Sequence, residues 1–408
     1  MKDSKDDPKL ATGAELRSLF DAFCPFGENL TLKPVDQLRT VLAANANFPM
    51  EVELAAFFHA AALEGGSPLI VQFSGAALET LGKGLKPEAA STVDALRMGA
   101  RMATAVARTY ASIYRPRFVA LGLDHFAVPD VREALFTFKG QDRPEVSCPQ
   151  AGEIRGRLAA AMDAAETFGV KPPPAEDVAA WEAYLGSCDY RQALAGFTAV
   201  VEEMRPAWAM IDTGDIPAGL NFAITREVCD MVRAAGSDAM LEAEYGATGQ
   251  AGAEDSYVPT RGAELGRFAR QVGGFVRYTG ASGISYPIGM EHAAPSAVKH
   301  EPDVARLTAV QREIACVAGR YAPFAQHGGT GAKEVARGLV AKDNVNTYFL
   351  VKAAQSLAMH VRKYGQDIAQ GRKPASGPSM YLEASRAVLD ATVGKLKECG
   401  TYDVLQAM

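Results

Sequence analysis

The stretch Phe118-Val-Ala-Leu-Gly-Leu-Asp-His125 runs through six apolar or glycine residues into an acid and a histidine. A run of this length without polar alternation reads as a strand buried on both faces. Chance does not favour a core strand ending on Asp124-His125. A strand of a parallel barrel has reason to, because all its strand C-termini open on one face, where active sites are assembled from several strands at once.

The same pattern recurs along the chain. Strands are expected at Val41–Ala46, Pro68–Ser74, Phe118–His125, Trp208–Asp212, Ala239–Gly246, Tyr286–His292, Phe324–Thr330 and Leu339–Thr347. Between them lie stretches with apolar residues every three or four positions, such as Val52–Glu64, Thr92–Arg115, Phe222–Ala235 and Ala305–Arg320. Eight strands alternating with crossover helices predict a (β/α)8 TIM barrel. From the third strand onward, each ends in an acid, an amide or a histidine. A single barrel domain spanning residues 1–408 is expected, with residues 127–205 inserted between strands three and four. That insertion shows two helical patterns, Ala151–Phe168 and Glu176–Met204. Two further helices are expected after Tyr348, within residues 348–408.

The composition is that of a soluble globular chain: 408 residues, 48% hydrophobic and 22% charged, with 42 Lys and Arg against 48 Asp and Glu. This excludes disordered and fibrous classes. The net charge of -6 and the lack of a basic patch argue against nucleic acid as a partner. Six dispersed cysteines without a C-x-x-C pair suit a reducing compartment. The charged opening Met1–Leu10 and the absence of a long apolar run predict a cytoplasmic protein that does not engage a membrane.

Three of the six histidines, His125, His292 and His327, fall at predicted strand ends. Three neutral imidazoles with an open fourth position suit a catalytic Zn2+. Glu242 and Glu244, two apart on the fifth strand, share a face, and such close carboxylates repel unless a cation or a proton separates them. Asp212 ends the fourth strand and can join them. Gly328-Gly-Thr-Gly331 is expected to turn into a helix over Ala332–Gly338, whose N-terminus would hold a phosphate. His59, His300 and His360 read as ordinary structural histidines.

Taken in order, Pro68–Ser74, Asp124-His125, Met210-Ile-Asp212, Glu242-Ala-Glu244, Ile288-Gly-Met-Glu-His292, His327-Gly-Gly-Thr-Gly331 and Lys342-Asp-Asn-Val-Asn-Thr347 resemble the class II fructose-bisphosphate aldolase family. Met380–Arg386 resembles that family's C-terminal helix. The resemblance implies a zinc-dependent aldolase that cleaves or forms a ketose phosphate or bisphosphate, such as fructose 1,6-bisphosphate, through a zinc-stabilised enediolate of dihydroxyacetone phosphate. It implies His125, His292 and His327 as zinc ligands, and Asp212 and Glu244 as an alternative metal position. Asp124 is then the proton-transferring acid, Glu254 the group that handles the carbon-bound proton, and Asn344 the amide contacting the enediolate. Gly328, Gly329 and Thr330 match the phosphate loop, while Asn47, Ser74, Asn346, Thr347 and Lys299 match positions around the substrate. A monovalent cation and a homodimer or homotetramer also belong to that implication.

Three departures bear on the substrate. Ala293 stands where the family has Gly, with Lys299 displaced from its usual place; Glu291 sits beside the ligand position; and the loop Gln250–Asp255 holds fewer carboxylates. Two other readings therefore accompany the aldolase: a non-catalytic aldolase-like partner subunit, and a related lyase for an unphosphorylated or otherwise different sugar.

Overall fold

The computed structural model describes residues 10–47, 50–87, 91–131, 149–246, 249–250, 257–292, 300–372 and 379–407, with backbone alone at 249, 250, 292 and 379. In chain order the strands are β1 (Val41–Asn45), β2 (Leu69–Ser74), β3 (Val119–Ala127), β4 (Trp208–Asp212), β5 (Met240–Glu244), β6 (Gly249–Gln250), β7 (Gly283–Ser285), β8 (Glu291–His292), β9 (Ala325–Gln326) and β10 (Lys342–Val345). Eight of them form one parallel sheet in the order β7-β5-β4-β3-β2-β1-β10-β9. A parallel bridge between Ile284 and Phe324 joins its two edges, and the chain is a (β/α)8 barrel.

The helices are α1 (Gly13–Ala22), α2 (Met50–Ala62), α3 (Gly75–Leu85), α4 (Thr92–Tyr114), α5 (Ala151–Thr167), α6 (Ala175–Leu185), α7 (Cys188–Met204), α8 (Ala218–Ala234), α9 (Gly262–Thr279), α10 (Val304–Ala318), α11 (Thr347–Ala369) and α12 (Ser379–Glu398). None among the described residues is long and apolar enough to cross a membrane.

Side chains alternate along each strand, so the barrel interior is built in layers. At its lower end Val41, Ala43, Ile70, Ala120, Trp208, Met240 and Ala325 pack against Leu16, Leu19 and Phe20 of α1, which plugs that end. The Phe20 and Trp208 rings lie 5.4 Å apart. Two residues further along β1, β2 and β5, at the same parity, stand Asn45, Gln72 and Glu242, and Lys342 of β10 reaches Glu242 from across the barrel; all four are buried and polar. A dry apolar plug beneath a polar floor leaves the chemistry at the C-terminal face.

Three expectations are corrected. The sixth barrel strand is Gly283–Ser285, not Tyr286–His292. Pro287 lacks the N–H that the ladder would need, and Gly283 leaves room for the Trp208 ring, which would lie 2.4 Å from a Cβ there. His292 therefore follows the barrel strand, on the short ribbon in which β8 pairs in parallel with β6. Second, Ala332–Gly338 is not a helix; only a 3-10 turn over Gly329–Gly331 follows β9. Third, the Glu176–Met204 pattern breaks at Gly186-Ser187, where the Ser187 hydroxyl accepts the Tyr190 N–H and caps α7. Helix α7 packs on α4 and β3 as an outer helix of the barrel, whereas α5 lies against α8 and α9.

Candidate active site

The site is built first by a distortion in β3. Its register against β4 shifts between Leu123 and Phe126, and His125 takes φ +37°. Such a bulge re-aims a side chain, and here it brings Asp124 and His125, neighbours on one strand, into the same cavity. The cavity measures about 440 Å³ and is also lined by Asn45, Asp212, His327, Gly328, Thr330, Asn344, Asn346 and Thr347.

His125 Nδ1 donates to Asp212 Oδ2 at 3.1 Å. The ring centroids of His125 and His327 are 4.5 Å apart, and His327 Nδ1 lies 3.8 Å from Glu244 Oε1. Burial works to lower the His125 pKa, but Asp124, Asp212 and Glu244 outweigh it and push it up to about 10. Burial works to raise Asp212, yet its hydrogen bond to His125 holds it below the ordinary carboxylate range. Burial, reinforced by the adjacent Asp212, drives Glu244 well above that range, and its proton serves the bond between the two carboxyls.

Among the described residues no group of three such side chains is arranged to hold a metal. The donor set nevertheless fits one. The His125 and His327 rings lie side by side, with Asp212 against His125 and Glu244 Oε1 3.8 Å from His327 Nδ1, so nitrogen and oxygen donors of the kind zinc takes stand together. The backbone of β8 places His292 among the described residues, while its side chain lies outside them.

Beneath the cavity Asp124 accepts Asn45 Nδ2 at 2.7 Å and Asn344 Nδ2 at 3.3 Å. Asn45 in turn accepts Gln72 Nε2 at 2.5 Å. His327 Nε2 lies 2.8 Å from Glu242 Oε1. Burial works against the charge on Glu242, but Lys342 and His327 lower its pKa to about 2.

The Gly328–Gly331 segment forms a turn, with a helix beside it other than the one expected. Gly328 sits at φ +74°, a conformation that glycine supplies without strain. The Thr330 hydroxyl accepts the Tyr348 N–H at 3.2 Å, so the helix N-terminus adjoining the turn is that of α11. Thr347, its first residue, lines the same cavity.

Other expected residues stand apart. Asn47 Nδ2 donates to Asn346 Oδ1 at 2.6 Å at the rim, and it is Asn45 that reaches Asp124. Ser74 caps α3, its hydroxyl accepting the Ala77 N–H. Glu254 and Lys299 lie outside the described residues. Asn45, Gln72 and Lys342 did not stand out as site residues in the sequence. For Asn45 and Gln72 the signal available was a polar residue in an otherwise apolar strand, whereas Lys342 opens a strand, Lys-Asp-Asn-Val, that is itself mostly polar.

A second cavity of about 390 Å³ shares His125 and Ala127 with the first and extends toward Glu79, Asp189 and Gln192, the last two on α7. A larger one, about 1180 Å³, opens at the opposite end of the barrel around Arg108 and Arg205, away from all these residues.

The family model for fructose-bisphosphate aldolase class-II matches residues 189–403, more than half of the chain. The chain belongs to the class II fructose-bisphosphate aldolase family. The match takes in Asp212, Glu242, Glu244, His292, His327 and Asn344, while Asp124 and His125 lie before it. The fold of the whole chain is similar to that of the fructose-bisphosphate aldolase from Campylobacter jejuni, with a TM-score of 0.58 at 15% identity, covering 97% of both chains. A putative fructose-1,6-biphosphate aldolase from Coccidioides immitis gives a TM-score of 0.46 at 14% identity over 99% of both chains. No curated protein matches the sequence.

Proposed function

We propose that this class II aldolase is zinc-dependent and cleaves or forms a ketose phosphate, using a three-carbon donor resembling dihydroxyacetone phosphate. One observation carries the reading. Asp124, fixed by two amides, opens on the same cavity as His125, His327, Asp212, the Gly328–Thr330 turn and the first residue of α11.

Zinc, held by His125 and His327 together with His292, supplies Lewis-acid polarisation of a carbonyl when bound. The chain's own residues do the rest. Asp124 accepts the proton of the hydroxyl on the carbon whose bond breaks, and Asn45 and Asn344 keep its oxygens facing that position. Asn344 lines the cavity and presents its amide to the oxygen-bearing end of the donor. The backbone N–H groups of the turn and the start of α11 face a phosphate. The acceptor end points toward the second cavity, whose wall includes Asp189 and Gln192.

The test is turnover by the purified, zinc-loaded protein on a panel of ketose phosphates, with release of a triose phosphate read by coupled assay. Cleavage of at least one, abolished by chelation and restored by zinc, supports the reading. No turnover in either direction across the panel sinks it, and the partner-subunit reading then leads.

A further inference from the structure

Lys342 is fully buried in a barrel whose interior is ordinarily apolar. Its ammonium donates to Glu242 Oε2 at 3.0 Å and to Asn344 Oδ1 at 2.6 Å, and lies 5.1 Å from the centre of the Trp208 ring. Glu242 accepts Trp208 Nε1 at 2.5 Å on the same oxygen and faces His327 Nε2 through the other. An ammonium has donors only. Its bond to Asn344 therefore fixes which end of that amide is oxygen, and the NH2 end is left pointing at Asp124.

A continuous chain results, from His327 through Glu242, Lys342 and Asn344 to Asp124, then on to Asn45 and Gln72. It crosses the barrel floor and joins strands β10, β5, β3, β1 and β2. A buried ion pair is seldom the most stable filling for such a space, so its presence calls for another explanation.

We propose that Lys342 is a positioning residue that locks the Asn344 amide and the Glu242–His327 pair to one another, holding the proton-accepting side of the site in register with the metal side. The inference rests on the aldolase reading above. Lys342 itself touches neither substrate nor metal. Its action on the metal side runs through Glu242, whose bond to Nε2 orients the His327 ring and turns Nδ1 toward the cavity.

Lys342→Met keeps the stem and removes the charge and its donors. Because that leaves Glu242 a buried charge with one partner fewer, the double variant Lys342→Met with Glu242→Gln is made beside it, so that the interior stays neutral. Zinc affinity by chelator competition and steady-state kinetics at saturating zinc are measured on both, with melting curves to establish folding. The expected result in whichever variant folds is a loss of zinc affinity of about 10- to 100-fold. At saturating zinc kcat falls at least about 10-fold, with KM moving less than about 3-fold, as for a group that acts on the transition state alone. A merely structural lysine moves the melting temperature and not this split. Zinc affinity and kcat both within about 3-fold of the parent protein overturn the proposal. Were the parent to turn over no ketose phosphate, the aldolase reading would fail, and the zinc arm alone would decide for or against the brace.

Discussion

Asn45 Nδ2 stands 2.7 Å from Asp124 Oδ2, so the first strand of the barrel holds the acid of the third. The contact follows from register: Asn45 pairs with Gln72 and Gln72 with Gly122, so Asp124 stands two residues further along β3 at the same parity, within reach of the Asn45 amide. Asp124→Asn is expected to lower kcat by about 10²-fold or more while zinc stays bound, as for loss of a proton-transfer group. Asn45→Ala, which only loosens that group, is expected to cost less, about 10-fold. Steady-state kinetics with elemental analysis of each variant checks both, and unchanged turnover in Asp124→Asn would remove it from the mechanism.

The metal assignment is tested through stability as well as content. A ligand that binds only the folded protein raises its melting temperature in proportion to the logarithm of ligand excess over Kd. Added zinc is expected to raise the melting temperature of the parent protein and to leave His125→Ala and His327→Ala nearly unmoved, with bound metal falling well below one ion per chain. Equal shifts in all three proteins would place the zinc elsewhere.

Much of this was legible in the sequence because strand ends and motif order are local. Asp124-His125, Glu242-Ala-Glu244 and His327 all carry their polarity where an apolar run stops. Lys342, Asn45 and Gln72 were harder to read. Each is one polar residue within or bordering an apolar run, and its meaning lies in partners 27 to 100 residues away that only the register brings close. The sixth strand was displaced for a different reason. Tyr286–Met290 is apolar and buried, like a strand, but Pro287 and the φ +85° of Gly289 make it a loop that carries the chain to His292. Composition cannot distinguish a buried loop from a buried strand. The Gly328–Gly331 segment does turn after its strand, but the helix beside it begins at Thr347 and not at Ala332.

A pH effect is expected from Glu53, which does not itself line the cavity around Asp124. It is fully buried on α2, accepts the Asn47 N–H through Oε2, and has no partner for Oε1 among the described residues. Burial pushes its pKa from 4.5 up to about 7 against the opposing hydrogen bond from Asn47. As pH rises from 4.5 to 7 the unfolded chain releases this proton while the folded one keeps it. Stability from this group is therefore present below pH 4.5 and lost as pH climbs through 7. At about 1.4 kcal/mol per unit the loss amounts to roughly 3 kcal/mol. Glu53→Gln, which keeps an acceptor for Asn47, is expected to be more stable than the parent by up to that amount at pH 8 and nearly equal to it near pH 4.5. Denaturant midpoints of the two proteins at both values measure the difference. A gap that stays constant with pH would mean that Glu53 does not titrate in this range.

Gly328 and Gly329 of the Gly328–Gly331 turn, proposed to face a phosphate, are held by contacts that leave no room for a side chain. A Cβ on Gly329 would lie 2.1 Å from Asp343 Oδ1 and 2.8 Å from the backbone oxygen of Asn344. Asp343 is fully buried, so neither contact can relax without moving β10. Gly329→Ala is thus expected to shift the turn relative to α11 and to misalign the N–H groups that face the anion. Charge-assisted hydrogen bonds to phosphate are about twice as strong as neutral ones, and they depend on that alignment. For a phosphorylated ketose KM is expected to rise at least about 10-fold. An unphosphorylated counterpart, already lacking those bonds, is expected to change little. Measuring kcat/KM for both substrates on both proteins gives the coupling directly. A Gly329→Ala protein that melts normally yet loses the same factor on each substrate would show that the turn serves the barrel and not a phosphate, and the lyase for an unphosphorylated sugar would become the better reading.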